Sequence, residues 1–173
     1  DRRHLWRGIH DPEMTRKAID VALELVDLGK GRYEARATVR NVGAAHHFPT
    51  YMVPKVELLF QVREANGRSR ELGRQVIGWT VDIGITREID DTRIPAGGSR
   101  VFSQPLLMPA TRDWQVELVV RVRPGEHYER IYRDALARAD RLPAAVLPPL
   151  RQALDQVRAA EYELLRVQAR PHG

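Results

Sequence analysis

The sequence predicts a mainly β protein: an immunoglobulin-like antiparallel β-sandwich carrying a C-terminal α-helical hairpin. Three observations predict it. Apolar residues fall at every second position through much of residues 19–122, strong turn signals punctuate those runs, and after Pro124-Gly125 the apolar spacing lengthens to that of a helix. Alternation turns one side of a strand to the core, whereas a helix needs a spacing near 3.6 to do the same.

Ile19, Val21, Leu23 and Leu25 open the series, and Tyr33, Ala35, Ala37 and Val39 resume it beyond Gly31, which predicts a hairpin turning near Leu28 to Gly31. Val56, Leu58, Phe60 and Val62 form a third run ending at Ala65-Asn66-Gly67-Arg68, where Asn-Gly supplies the positive φ angles of a tight turn. A partner strand is expected within Leu72 to Val81. Pro95-Ala96-Gly97-Gly98 is a second turn signal, followed by extended runs over Arg100 to Leu107 and at Val116, Leu118, Val120 and Val122. Six or seven short strands separated by turns suit a sandwich. Past Gly125, Tyr128, Ile131, Tyr132, Ala135, Leu136 and Ala139 share one helical face, predicting a helix over Glu126 to Asp140. Pro143 and Pro148-Pro149 interrupt, and Leu150, Leu154, Val157, Ala160 and Leu164 predict a second helix reaching about Val167. The expected divisions are an irregular N-terminal segment over 1–16, the sandwich over 17–124 and the hairpin over 125–173.

A chain of 173 residues is about one domain. It contains no cysteine, which excludes disulfides, thiolate nucleophiles, Cys-ligated zinc, iron–sulfur sites and covalent haem attachment within these residues. No apolar stretch approaches the length of a membrane-spanning helix, and the N-terminus opens Asp1-Arg2-Arg3-His4 without an apolar signal core, so a soluble mature chain or an excised segment is expected. The formal charge of +5 is spread along the chain and predicts solvated surface rather than a nucleic-acid interface.

The candidate chemistry lies mostly in histidines. His4 and His10 belong to the N-terminal segment, His46 and His47 to the loop after the second strand, and His127 to the start of the first helix. Imidazole ligates haem iron, zinc or copper, and loops on a rigid sandwich present such groups. Neither pair has the spacing of H-E-x-x-H, so structural or surface histidines stand as the other reading. Ser69, Ser99 and Ser103 lie in no nucleophile motif. The acidic cluster of Glu88, Asp90 and Asp91 is expected to be solvated, and Trp6, Trp79 and Trp114 to be core or ligand-lining.

The segment Asn41-Val42-Gly43-Ala44-Ala45-His46-His47-Phe48-Pro49-Thr50 resembles the N-x-G-A-G-H-x-x-P-T-G signature in the haem-free C-terminal region of periplasmic multihaem c-type cytochromes, the group related to cytochrome c554. His4-Leu5-Trp6-Arg7-Gly8-Ile9-His10-Asp11 is similar to the H-x-x-x-G-G-H-D stretch that precedes it there. Asp91-Thr92-Arg93-Ile94-Pro95-Ala96-Gly97-Gly98-Ser99-Arg100 resembles a later D-T-R-[LI]-P-P-G-x-x-R stretch. Ala45, Tyr51 and Ile9 depart from motif glycines, and Cys-x-x-Cys-His is absent.

The resemblance implies a non-catalytic accessory domain of an electron-transfer cytochrome, in the periplasm or outside the cell. It implies haem c held by an adjoining segment or subunit, shielded by this chain and ligated by distal histidines: His10 and His46 first, His4 next. His47 stands at a variable motif position and inherits no role. The partner expected is that haem-bearing segment or subunit, with the C-terminal helices as a further docking surface. Two other readings stay open: a metal-free structural or protein-docking sandwich, and a histidine-based copper or zinc module.

Overall fold

The computed structural model describes residues 8–109 and 113–171. The segment expected to be irregular through residue 16 instead forms a short helix, α1 (Pro12–Ala18), because the Asp11 carboxylate caps it by accepting from the Met14 amide at 3.1 Å. Two antiparallel sheets follow. The first joins β1 (Ile19–Asp27), β2 (Arg32–Asn41) and β7 (Ser99–Leu107) in the order β1-β2-β7. The second joins β3 (Lys55–Glu64), β4 (Ser69–Ile77), β8 (Trp114–Arg123) and β9 (Tyr162–Ala169) in the order β4-β3-β8-β9. A two-stranded arm of β5 (Trp79–Val81) and β6 (Glu88–Asp91) stands apart from both.

The sequence alternation becomes register in these sheets. Val56, Leu58, Phe60 and Val62 lie opposite Val122, Val120, Leu118 and Val116, and all of them are buried. From the other sheet, Leu25, Ala35, Ala37, Val39 and Phe102 complete the same core. Small alanines in β2 leave room for the larger side chains facing them, which is how two twisted sheets interdigitate. At the far end of the core the Tyr33 and Trp114 rings meet edge to face, 4.9 Å between centroids.

The first hairpin turns over Leu28 to Gly31 as expected, with Gly29, Lys30 and Gly31 all at positive φ. The partner of β3 begins earlier than expected, at Ser69, and the stretch expected as one strand divides at Gly78 into β4 and β5. At the division the Gly78 amide donates to the Thr92 hydroxyl at 3.0 Å, its carbonyl accepts from the Thr92 amide at 3.0 Å, and the Lys55 aliphatic chain occupies the space a Cβ at residue 78 would fill.

After β8, α2 (Glu126–Ala137) and α3 (Leu147–Ala159) pack on each other, and Pro148 and Pro149 lie inside the first turn of α3, where a missing N–H costs nothing. Two expectations are corrected here. The second helix stops at Ala159 instead of reaching about Val167, and Tyr162–Ala169 is the strand β9, paired with β8 through a register shift beside Arg121. The region 125–173 is therefore a helix pair followed by a strand of the sandwich. Nor does α2 bury its aromatic face: His127 and Glu129 are the buried residues and Tyr128 is exposed.

Gly67 has a φ of +83° and nothing within 4 Å of a Cβ placed there, so substitution acts through backbone strain alone. Gly67→Val should lower unfolding stability by about 1 kcal/mol or more, and Gly67→Asn should lower it less, because Asn tolerates the left-handed region. Urea titration of both variants checks this.

Candidate functional site

The pairing places the starts of β1, β3, β7 and β9 and the ends of β2, β4 and β8 at one pole of the sandwich. His10, His46, His47 and His127 all lie in segments at this pole. Asn41, the last residue of β2 and only 1% exposed, organises it. Its amide nitrogen donates to the carbonyls of His46 at 2.7 Å and Ile94 at 3.1 Å, while its side-chain oxygen accepts from the Ala44 amide at 3.1 Å. Its backbone exchanges hydrogen bonds with Gly97 and Gly98. One buried side chain thus closes the histidine loop and bonds it to the Ile94–Gly98 turn.

Two further contacts fix that loop. Phe48 and Ile94 exchange backbone hydrogen bonds of 2.8 and 3.0 Å, and the Arg93 guanidinium donates to the Thr50 carbonyl at 3.1 Å. On the opposite side the Gly43 amide donates to the Ala18 carbonyl at 3.0 Å, and any Cβ at residue 43 would collide with the Lys17 carbonyl oxygen. Only glycine admits this approach.

His46 is exposed at the tip, yet its imidazole is oriented. Its Nδ1 lies 2.8 Å from the His47 carbonyl oxygen and 3.1 Å from the Thr50 hydroxyl. A carbonyl only accepts, so the proton belongs on Nδ1 and Nε2 carries the bare lone pair. Such a tautomer is ready to ligate a metal through Nε2. His10 is also exposed and sits in the turn before α1. It lines a cleft of about 250 Å³ whose walls include Tyr51, Tyr128, Tyr132, Val157 and Ala160.

The β5–β6 arm borders the same pole. Asp91 holds Arg93 through bonds of 2.9 and 2.7 Å, and the Arg93 guanidinium lies over the Trp79 ring, 4.6 Å from its centroid. The Trp79 indole donates to Glu88 at 2.7 Å. Glu88 and Asp91, expected to be merely solvated, therefore serve Trp79 and Arg93.

Beneath the loops lies a charged layer that sequence reasoning missed. Arg123 bonds Glu57 at 2.9 Å, Glu161 at 2.8 Å and also Glu129, which in turn accepts from Arg158 at 3.1 Å. Beside it, Lys55 is 3% exposed, donates to the Met52 carbonyl at 2.6 Å and lies 3.6 Å from Glu126. Burial pushes the Lys55 ammonium pKa down despite Glu126. His127 is 1% exposed, and neither ring nitrogen has a hydrogen-bond partner among the described residues. Burial, then the charges of Arg130 and Lys55, push its pKa down against the pull of Glu126 and Asp82. Alternating strand residues such as Lys55 and Glu57 gave no hint of this layer, because charge on a strand ordinarily means solvent.

Of the expected ligands, the structure places His10 and His46 on two loops of one pole, while His4 lies outside the described residues, as does Trp6. Among the described residues no group of three His, Asp or Glu side chains is arranged to hold a metal ion. No helix among them is long and apolar enough to cross a membrane.

No family model matches the sequence, and no curated protein matches it significantly. Among solved structures, a penta-haem cytochrome c552 from Thermochromatium tepidum superposes on 95% of this chain with a TM-score of 0.63 and 16% identity. The chain spans 42% of that cytochrome's length. The likeness establishes a fold shared with a multihaem cytochrome. The Northeast Structural Genomics Consortium target SoR45 covers 60% of this chain and 70% of its own length, at TM-score 0.33 and 12% identity. A Bacteroides uniformis β-glucuronidase 2 covers 61% of this chain and 11% of its own, at TM-score 0.29 and 16% identity. Neither of these two carries an argument.

Asn41→Ala should leave the His46 and Ile94 carbonyls and the Ala44 amide without their side-chain partner, and should destabilise the chain by about 2–3 kcal/mol. Denaturant unfolding measures the loss, and hydrogen exchange at Ala44 localises it. A second expectation concerns pH. His127 binds its proton less readily folded than unfolded, so stability is complete above the unfolded pKa near 6.5 and falls as pH drops below it, by up to about 1.4 kcal/mol per pH unit. His127→Leu should flatten that slope in melting curves between pH 7 and pH 5.

Proposed function

We propose that this chain is a non-catalytic accessory domain of a multihaem c-type cytochrome, set against haem c that an adjoining segment or subunit carries. The observation that carries the reading is the pole itself. His10, on the rim of a tyrosine-walled cleft, and His46, with Nδ1 bonded and Nε2 bare, stand on loops that the sandwich holds rigidly. The fold shared with the penta-haem cytochrome supports it, as do the motif segments Asn41–Thr50 and Asp91–Arg100, which are bonded to each other at this pole.

The residues fit the group in two respects. An imidazole that holds haem would need its second nitrogen oriented, and the His47 carbonyl orients the His46 ring. A porphyrin edge is flat and apolar, and the cleft offers Tyr51, Tyr128 and Tyr132 beside the small residues Gly125, Ala153 and Ala160. Haem would supply the one-electron chemistry. This chain would exclude water from the haem edge, and His10 and His46 would offer imidazole nitrogens to hold it, two levers on redox potential. With no cysteine, it would hold haem only through contacts and ligation. Periplasmic or extracellular residence and a role in electron transport belong to the same proposal.

The test is made on natively purified complex. A Soret band is expected, and His46→Met should raise the potential of one haem and alter its low-spin spectrum. Unchanged spectra for both the His10 and His46 variants would remove the ligand role, and absence of any Soret band would leave the metal-free docking sandwich.

A further inference from the structure

The turn that carries His10 has an anchor from the opposite end of the chain. Tyr162, the first residue of β9, donates its hydroxyl proton to the Ile9 carbonyl at 2.7 Å. The same hydroxyl lies 3.0 Å from the Thr15 hydroxyl, and Thr15, 3% exposed, reaches the Gly8 carbonyl at 3.5 Å. The Asp11 amide closes the turn on Gly8 at 2.9 Å. Two hydroxyls, one on α1 and one on β9, thus grip the two peptide units that precede His10. Tyr162 is itself fixed, because its backbone pairs with Val122 and burial raises its phenol pKa, keeping the donor proton in place at neutral pH.

We propose that Tyr162 is a positioning residue for His10: through the Ile9 carbonyl, and with Thr15, it sets where the His10 imidazole stands at the mouth of the tyrosine-walled cleft. This rests on the reading of His10 as a haem ligand and adds the device that aims it. The Ile9 side chain packs against the core, and the Tyr162 phenol adds the hydrogen bond that fixes the direction of the Ile9 carbonyl. Without the phenol hydroxyl, the Ile9 carbonyl would lose its tie to β9, and the internal Asp11 to Gly8 bond would open more often. The imidazole would then sample several positions, and ligation would bear the entropy of fixing it.

The test uses the full chain and ferric protoporphyrin IX (hemin) as probe, with Tyr162→Phe, Thr15→Val, His10→Ala and His46→Ala. Wild type should bind hemin with a low-spin Soret spectrum. Tyr162→Phe, which retains the ring, should weaken binding roughly three- to tenfold, the worth of one hydrogen bond, and shift the spectrum toward high spin. It should also speed hydrogen exchange at the Asp11 amide without hemin, while amides of β3 and β8 exchange as in wild type. Thr15→Ser should behave as wild type and Thr15→Val as Tyr162→Phe. If Tyr162→Phe binds and exchanges as wild type while His10→Ala loses ligation, the positioning role is overturned and the haem reading stands. If wild type gives no low-spin spectrum, or His10→Ala is indistinguishable from it, the reading of His10 fails and the role of Tyr162 falls with it.

Discussion

Everything at the histidine pole depends on how Arg123 is neutralised. It ends β8 and reaches Glu57 on β3, Glu129 on α2 and Glu161 at the entry to β9. Burial works against its charge, yet Glu161, Glu57 and Glu129 outweigh burial and raise its pKa. Each carboxylate in the group needs it in return, because a charge withdrawn from water is tolerated only when paired and hydrogen-bonded. The end of β8, the first turn of α2 and the chain leaving α3 meet at that guanidinium, with Arg74 and Arg158 as second partners of Glu57 and Glu129. The cleft beside His10 is a consequence, since its walls are Pro124 and Gly125 just after Arg123, Tyr128 and Tyr132 on α2, and Val157 and Ala160 at the end of α3.

The sandwich was legible wherever one face of a strand meets the core and the other meets water. Tyr33, Ala35, Ala37 and Val39 announced β2 in this way, and Asn66-Gly67 announced the turn after β3. β9 was not, for a physical reason. The helix α3 ends at Ala159 without a glycine or proline to mark it, and Ala160 and Leu164 continue its spacing by coincidence. The strand signal in Tyr162, Leu165, Val167 and Ala169 is broken by the register shift beside Arg121, which costs the alternation one step. A β-bulge erases the period on which strand recognition relies. The aromatic face of α2 misled for a related reason: amphipathic spacing identifies a face and not what covers it, and here the face toward the sheet is charged.

Legibility of the site divides along the same line. Asn41, Gly43 and Pro49 mark the segment Asn41–Thr50 as a turn in the sequence, and the structure exposes His46 on it. Its mechanism was hidden, since Asn41 reads as a turn-former while it acts as a buried cross-brace to Ile94, 53 residues away in sequence. Tyr162 was hidden further, because a residue assigned to a helix offers no reason to touch Ile9. His127 shows the converse. Its place in the sequence gives no sign of burial, yet the structure seals it at the root of α2 among Lys55, Arg130 and Glu126, where protonation is opposed. An imidazole in that setting is a constraint on stability and pH, whereas those at the loop tips are available to a partner.

Rigidity is what such a chain can contribute. Lacking cysteine, it fastens no haem covalently, so under the proposed function its whole effect on a neighbouring cofactor passes through the position of side chains at one pole. Position is expensive in a loop, where each free side chain loses up to about 2 kcal/mol of entropy on being fixed. Here much of that loss is taken during folding. Asn41 closes the loop of His46, the His47 carbonyl orients its ring, Tyr162 and Thr15 grip the turn of His10, and Arg123 sets the cleft beside it. None of these residues touches a ligand in the proposed arrangement. Under that function one requirement would select both them and the histidines, because an imidazole is only as useful to a cofactor as the peptide units that carry it.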